Sequence, residues 1–282
     1  MSANIIDGKA IAKEIRGEVR DEITKLVDEG KRPPALAVVL AGNDPGSHIY
    51  VKGKKKACHK VGITSIEHKL DESVTERQLV TLIDKLNSDP AIDGILVQLP
   101  LPGKLHEHTI IEKISPLKDV DGFHPINVGR LVADTDGLRP CTPAGIIELL
   151  KRSNISLPGK KVVVLGRSNI VGKPVATLLL HESCTVTVCH SKTVGLSHIT
   201  KRADIIVAAI GRPKFVTADM VKEEAVVIDV GINRTDDGVC GDVDFDNVKE
   251  IAGYITPVPK GVGPMTIAML MVNTLEAYKL SH

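Results

Sequence analysis

The sequence predicts an α/β protein of two domains, each a parallel sheet covered by helices. Short apolar, β-branched runs at residues 35–40 (ALAVVL), 94–98 (GILVQ), 162–165 (VVVL), 204–210 (DIIVAAI) and 225–230 (AVVIDV) are separated by stretches with helical periodicity. That alternation marks a doubly wound parallel sheet, because the crossover between parallel strands is usually a helix. The chain has 282 residues, 43% of them hydrophobic and 25% charged, which is enough for two separate cores. At Pro158-Gly159 the pattern restarts with a strand, a glycine turn and a helix, and no internal repeat relates the two halves.

After a short strand around Ile5, the residues Ile11, Ile15, Val19, Ile23 and Val27 recur every four positions, which gives a long amphipathic helix ending at Gly30. Residues 35–40 are a buried strand and residues 42–46 (GNDPG) a turn, with Ser47 as the cap of the next helix. On that helix Tyr50, Lys54, Ala57, Cys58 and Val61 share one arc, whereas Lys52, Lys55, Lys56 and Lys60 point elsewhere. A lysine on an apolar stripe loses hydration, and its pKa is expected to fall toward the range where it exchanges protons at neutral pH. The competing reading is that Lys54 snorkels past the stripe to water. A strand at residues 64–70, a helix carrying Leu79, Leu82, Ile83 and Leu86, and the strand at residues 94–98 continue the alternation. Gln98-Leu99-Pro100-Leu101-Pro102 follows at a strand's carboxyl end, where open α/β sheets bind ligands, so Gln98 is either a polar ligand contact or simply solvated. Residues 118–125 (KDVDGFHP) form a loop dense in polar groups.

Thr142-Pro143 caps a helix through Ile146, Ile147 and Leu150, read as the bridge between domains. Beyond it, residues 161–180 read as strand, glycine turn and helix, the unit whose first-turn N–H groups and dipole favour a phosphate. The turn Gly166-Arg167-Ser168-Asn169-Ile170-Val171-Gly172 keeps only the first and last glycines of the dinucleotide fingerprint, so a simple turn is also compatible with it. The second strand (TVTVC, residues 185–189) ends in His190-Ser191-Lys192-Thr193 instead of the acidic residue that holds the ribose hydroxyls of NAD. With Arg167 nearby this is a pocket for an extra phosphate and favours NADP, although Lys192 alone also fits a solvated basic loop. Residues 255–266 (ITPVPKGVGPMT) read as an extended loop with no helix before Met265. The last helix carries Ile267, Leu270, Met271, Leu275 and Tyr278 on one side and is expected to return to the first domain. The domains are thus residues 1–140 with 265–282, and residues 141–264.

A formal charge of +1 and the lack of a basic arm give no reason to expect nucleic acid. Five cysteines without a C-x-x-C pair read as small buried residues of a reducing compartment, not as a disulfide frame or metal site. The first nine residues lack the apolar core of a signal peptide, and no apolar stretch is long enough to span a membrane, so a cytoplasmic protein is expected.

Several motifs in order carry a resemblance. They are Ser47-x-x-Tyr50-x-x-x-Lys54, the run from Gly94 to Pro102, Lys118-Asp119-Val120-Asp121-Gly122-Phe123, Arg139-Pro140-Cys141-Thr142-Pro143, Gly166-Arg167-Ser168-x-x-Val171-Gly172-x-Pro174 and Gly263-Pro264-Met265-Thr266. The chain resembles, from its start to its terminal helix, the bifunctional methylenetetrahydrofolate dehydrogenase/methenyltetrahydrofolate cyclohydrolase family. The resemblance implies an N-terminal α/β substrate domain, a Rossmann-like NADP-binding domain, a cleft between them, and a homodimer. It implies oxidation of 5,10-methylenetetrahydrofolate by NADP and hydrolysis of the methenyl product to 10-formyltetrahydrofolate. Tyr50 would stack on the folate, Lys54 would handle protons, Gln98 would orient Lys54, and Asp121 would hold the pterin ring. Leu99, Pro100, Gly261, Val262, Gly263 and Pro264 would complete the substrate site. Gly166, Arg167, Ser168 and Ser191 would bind the cofactor, with Ile232 beside the nicotinamide. Similar proteins read Pro-Gly-Gly-Val-Gly-Pro where this chain has Pro259-Lys260-Gly261-Val262-Gly263-Pro264, so Lys260 would be strained if its position needs positive φ. Two other readings, a dehydrogenase lacking the hydrolytic step or acting on another small substrate, and a silent nucleotide-binding subunit, are set against the joint presence of Tyr50, Lys54, Gln98 and Asp121.

Overall fold

The structure, a computed structural model, describes residues 2–103, 105–236 and 238–282. The chain opens with β1 (Asn4–Ile5), α1 (Gly8–Asp28), β2 (Ala35–Ala41), α2 (Pro45–Val61), β3 (Thr64–Leu70), α3 (Glu76–Ser88) and β4 (Gly94–Val97). Three helices follow, α4 (Glu107–Ile111), α5 (Pro125–Ala133) and α6 (Cys141–Arg152). The second half runs β5 (Lys161–Leu165), α7 (Gly172–His181), β6 (Thr185–Cys189), α8 (Leu196–Thr200), β7 (Ile205–Ala208), β8 (Val226–Asp229), β9 (Asn233–Thr235), β10 (Gly238–Cys240), α9 (Phe245–Val248), β11 (Tyr254–Ile255) and α10 (Val262–Ser281). They form two compact units, one comprising Met1–Ala12 and Thr142–Thr266, the other Lys13–Cys141 and Ile267–His282.

In the unit of Lys13–Cys141 and Ile267–His282, three parallel strands lie in the order β3-β2-β4. The central strand β2 is buried at every residue, as expected of an apolar run covered on both faces. One face packs Ala37, Val39, Ile95 and Val97 against Leu79, Ile83 and Leu86 of α3. A capping box starts α3, in which Thr75 Oγ1 accepts the Gln78 N–H and Gln78 Oε1 accepts the Thr75 N–H. The polar loop after residue 117 is tied down by Asn273 of α10, whose amide donates to the Val120 and Arg139 carbonyls at 2.8 and 2.7 Å. Gly122, at φ 74°, has no room for a Cβ, which would stand 2.6 Å from the Arg139-Pro140 peptide.

The other unit holds a six-stranded, all-parallel sheet in the order β1-β11-β8-β7-β5-β6. Its core packs Val163, Leu165, Ile206, Ala208, Val227 and Ile255 with Val216 and Val248. Three details differ from the sequence reading. Residues 2–12 join this unit instead of the first domain, because β1 pairs with β11, Asn4 with Tyr254 and Ile5 with Ile255. The α2 cap is Asp44, whose carboxylate accepts the Ser47 N–H at 2.7 Å, so Ser47 lies inside the helix. Helix α10 starts at Val262, ahead of Met265, since Pro264 in its first turn has no hydrogen bond to lose there.

Lys260, two residues before α10, adopts φ 91°, the left-handed region where a Cβ is costly. Lys260→Gly is therefore expected to be more stable than Lys260→Ala by about 1 kcal/mol, a comparison in which both variants lose the lysine charge. Equal denaturant midpoints for the two would show the loop to be unstrained.

Candidate active site

Lys54 is 7% exposed on the inward face of α2, with Val51, Ala57, Cys58 and Val61, while Lys52, Lys55, Lys56 and Lys60 are solvated. It does not snorkel. Its Nζ donates to Gln98 Oε1 at 3.0 Å, one residue past the end of β4. Gln98 is held from its other side, where its Nε2 donates to the Leu99 carbonyl at 2.7 Å. An amide whose nitrogen is spent on a carbonyl must turn its oxygen the other way, and that oxygen faces Lys54. The Leu99-Pro100 peptide is cis, and Pro100 is exposed. Tyr50 lies one turn before Lys54 and leaves 38% of its surface free, so its ring is available for stacking.

Asp121 completes this cluster. Burial pushes its carboxyl above the ordinary range, the Lys54 charge pulls it back, and Asp119 adds to the rise. Asp119 is buried and braces the loop by accepting the His124 N–H at 2.8 Å and the Asn127 Nδ2 at 2.9 Å. The Cys141 thiol donates to the Val120 carbonyl, and burial holds it well above its normal pKa, so it is an inert packing group. Asp119, Asn273 and Cys141 hold Asp121 in place without being part of any sequence motif for acid-base chemistry. A lysine with a neutral acceptor and a carboxyl of raised pKa can move protons around a bound cation.

In the unit of Met1–Ala12 and Thr142–Thr266, a cavity of about 560 Å³ opens at the carboxyl edge of β5, β6 and β7. Gly166, Arg167 and Ser168 line it after β5, His190, Ser191 and Thr193 after β6, and Ile210, Arg212 and Phe215 after β7. Ser168 also shapes the turn, its Oγ accepting the Val171 and Gly172 N–H groups at 3.2 Å. The two glycines are required by contact: a Cβ on Gly166 would run into the Ala209 carbonyl, and one on Gly172 into that of Gly166. Lys192 is exposed and does not line the cavity, so it belongs to a solvated loop. No acidic side chain lines the cavity, and its arginines and hydroxyls suit an added phosphate. Ile232 lies outside this cavity, beyond β8, where it is half exposed and borders Gly263. Gly261 precedes α10, and Val262, Gly263 and Pro264 form its first turn. All four belong to this unit, whereas Tyr50, Lys54, Gln98, Leu99 and Asp121 are gathered in the other.

Two buried carboxylates build the cavity's β7 side. Asp229, at the end of β8, accepts the N–H groups of Gly231, Asp242 and Val243, each at 2.9 Å. Asp242 accepts those of Ile210, Gly211 and Arg212 at 2.7 to 2.9 Å, and the Asn233 amide at 2.9 Å. Arg212, Phe215 and this pair escape a motif search. The only sequence signal is the Gly211-Arg212-Pro213 turn after a buried strand.

The tetrahydrofolate dehydrogenase/cyclohydrolase catalytic-domain model matches residues 6–121, and the NAD(P)-binding-domain model of the same family matches residues 140–282. The bifunctional protein FolD of Halalkalibacterium halodurans is 57% identical over 279 residues, covering 99% of this chain and 100% of that protein. The structure of the bifunctional FolD dehydrogenase/cyclohydrolase of Campylobacter jejuni is similar at TM-score 0.96 and 49% identity, covering 99% of each chain. That of the Trypanosoma brucei dehydrogenase-cyclohydrolase, complexed with NADP and an inhibitor, is similar at TM-score 0.94 and 40% identity, covering 100% of this chain and 99% of that one.

Burial raises the Asp229 carboxyl to about 6, against the pull of its three N–H donors. A folded-state pKa above the unfolded one means that the group's contribution is complete below about pH 4 and lost as pH rises through about 6. Between those pH values the unaltered protein is expected to lose about 3 kcal/mol of stability relative to Asp229→Asn. Parallel stability curves for the two proteins from pH 4 to 7 would refute this assignment.

Proposed function

Since the chain belongs to the tetrahydrofolate dehydrogenase/cyclohydrolase family, we propose the roles its own residues take in that chemistry. The protein oxidises 5,10-methylenetetrahydrofolate with NADP and hydrolyses the methenyl product to 10-formyltetrahydrofolate. NADP supplies the hydride acceptor when it binds. For this step the protein's work is placement, with Tyr50 stacking on the folate ring and Asp121 holding the pterin through a hydrogen bond. Leu99, Pro100 and the Gly261-Val262-Gly263-Pro264 turn complete the substrate contacts, and Gly166, Arg167, Ser168, Ser191 and Ile232 hold the cofactor. The lack of an acidic residue after β6 supports NADP over NAD.

Hydrolysis needs a proton carrier. Water attacks the cationic bridge carbon and gives up one proton, a proton reaches the folate nitrogen as its bond to the bridge breaks, and the remaining hydroxyl proton leaves to solvent as the formyl carbonyl forms. Lys54 is the group that takes and returns the proton. The observation that carries this reading is the Lys54–Gln98 hydrogen bond, because a neutral amide oxygen accepts from either an ammonium or an amine and so holds Nζ in place in both states without the strong bias toward the charged form that a carboxylate would impose. An Asp or Glu at residue 98 would instead hold Lys54 in its charged form.

The family reading also makes the protein a cytoplasmic homodimer. Support comes from the edge strand β6, which is largely exposed, and from Val188, Leu180 and Val194, which stand 38%, 56% and 90% exposed on or beside it. The five cysteines are all free, in keeping with a reducing compartment, and no helix among the described residues is long and apolar enough to cross a membrane. Sedimentation of the purified chain should give twice the chain mass, with Val188→Glu shifting it toward one chain. Sedimentation of the unaltered protein as a single chain at micromolar concentration would reject the dimer.

Lys54→Met keeps the aliphatic stem and removes the proton carrier. NADPH formation and decay of the methenyl chromophore, followed separately, should show cyclohydrolase activity reduced by at least about 100-fold while dehydrogenase turnover remains measurable. A variant that still hydrolyses the methenyl compound well above the uncatalysed rate would make Lys54 structural.

A further inference from the structure

Arg212 is a second guanidinium in the cofactor cavity, and its position is preset. Its backbone N–H is fixed by the buried Asp242 carboxylate, together with those of Ile210 and Gly211. Its side chain lies over the Phe215 ring, with the guanidinium carbon 4.5 Å from the ring centre. A guanidinium resting on an aromatic face keeps its N–H edge free for a planar or tetrahedral anion. Among the described residues no carboxylate pairs with the side chain of Arg212 or with that of Arg167, and no acid lines the cavity. Two cations without a carboxylate partner therefore line one open cavity, which Ser191 lines as well. One guanidinium neutralises only part of a phosphate monoester, which carries close to two negative charges at neutral pH. We propose that Arg212 is a specificity-determining residue that shares the 2′-phosphate of NADP with Arg167, seated for it by Phe215 and Asp242. This inference rests on the reading that the cavity holds the adenosine-phosphate end of the cofactor.

The test is calorimetric titration of the full chain with 2′,5′-ADP and with 5′-AMP, which differ only in the phosphate at issue. Arg212→Ala is expected to weaken 2′,5′-ADP by about 10- to 100-fold, the worth of one or two charge-assisted hydrogen bonds. It should alter 5′-AMP binding by less than about twofold, and Arg212→Lys should recover part of the loss. Equal weakening of both nucleotides would reduce Arg212 to packing against the adenosine and overturn the proposal, as would no change in either. Arg167→Ala, measured alongside, separates the two levels of the argument. If it loses 2′,5′-ADP affinity while Arg212→Ala does not, only the role of Arg212 falls. If neither variant loses affinity, the reading of the cavity falls with it.

Discussion

The carboxyl edge of the six-stranded sheet depends on two buried carboxylates. Asp229 and Asp242 sit inside the protein with no lysine or arginine partner among the described residues, a placement that would cost several kcal/mol for bare charges. Backbone N–H groups take the place of cations. Because the donors come from three segments, satisfying the charges fixes the loop after β7, the loop after β8 and residues 242–243 against one another. A Cβ on Gly231 would collide with the Asp242 side chain, and one on Gly241 with Asp229, so those glycines are part of the same construction. Loop positions here are set by electrostatic satisfaction more than by apolar packing.

The other unit shows what a buried charge looks like when it is structural. Arg32 clasps Asp93 through two hydrogen bonds of 2.7 and 2.8 Å, and the Asp93 carboxylate also accepts the Ala35 N–H at the start of β2. The Asp93 hydrogen bond raises the Arg32 pKa above its ordinary value. Lys54 is also buried but is given a neutral amide partner, Gln98, in place of a carboxylate clasp. The same unit thus carries one bidentate ionic clamp and one buried lysine hydrogen-bonded to a neutral amide.

Alternating apolar runs and helical stripes made both sheets legible in the sequence, and the amphipathic arc on α2 singled out Lys54 among its neighbours. These are local properties: a period of two or 3.6 residues is written in adjacent positions and survives whatever the chain packs against. Helix boundaries were less legible. Asp44 and Ser47 are both good caps, and only the path of the turn determines which of them meets the free N–H groups. The strand at Asn4 and Ile5 is too short to declare its sheet, so its pairing with Tyr254 and Ile255, about 250 positions away, is a property of the fold alone.

The sequence by itself determined the fold class, the glycine turn after β5, the absence of an acidic residue after β6 and the choice of Tyr50, Lys54, Gln98 and Asp121 as candidates, since each lies in a contiguous motif. Tertiary structure decided which of those side chains meet and what holds them. The amide of Asn273 reaches the Asp121 loop from 153 positions away, and Asp242 binds the N–H of Arg212 from 30. Such partners leave no periodic trace, because a hydrogen bond depends on distance in space, and only the folded chain brings these residues within 3 Å of each other.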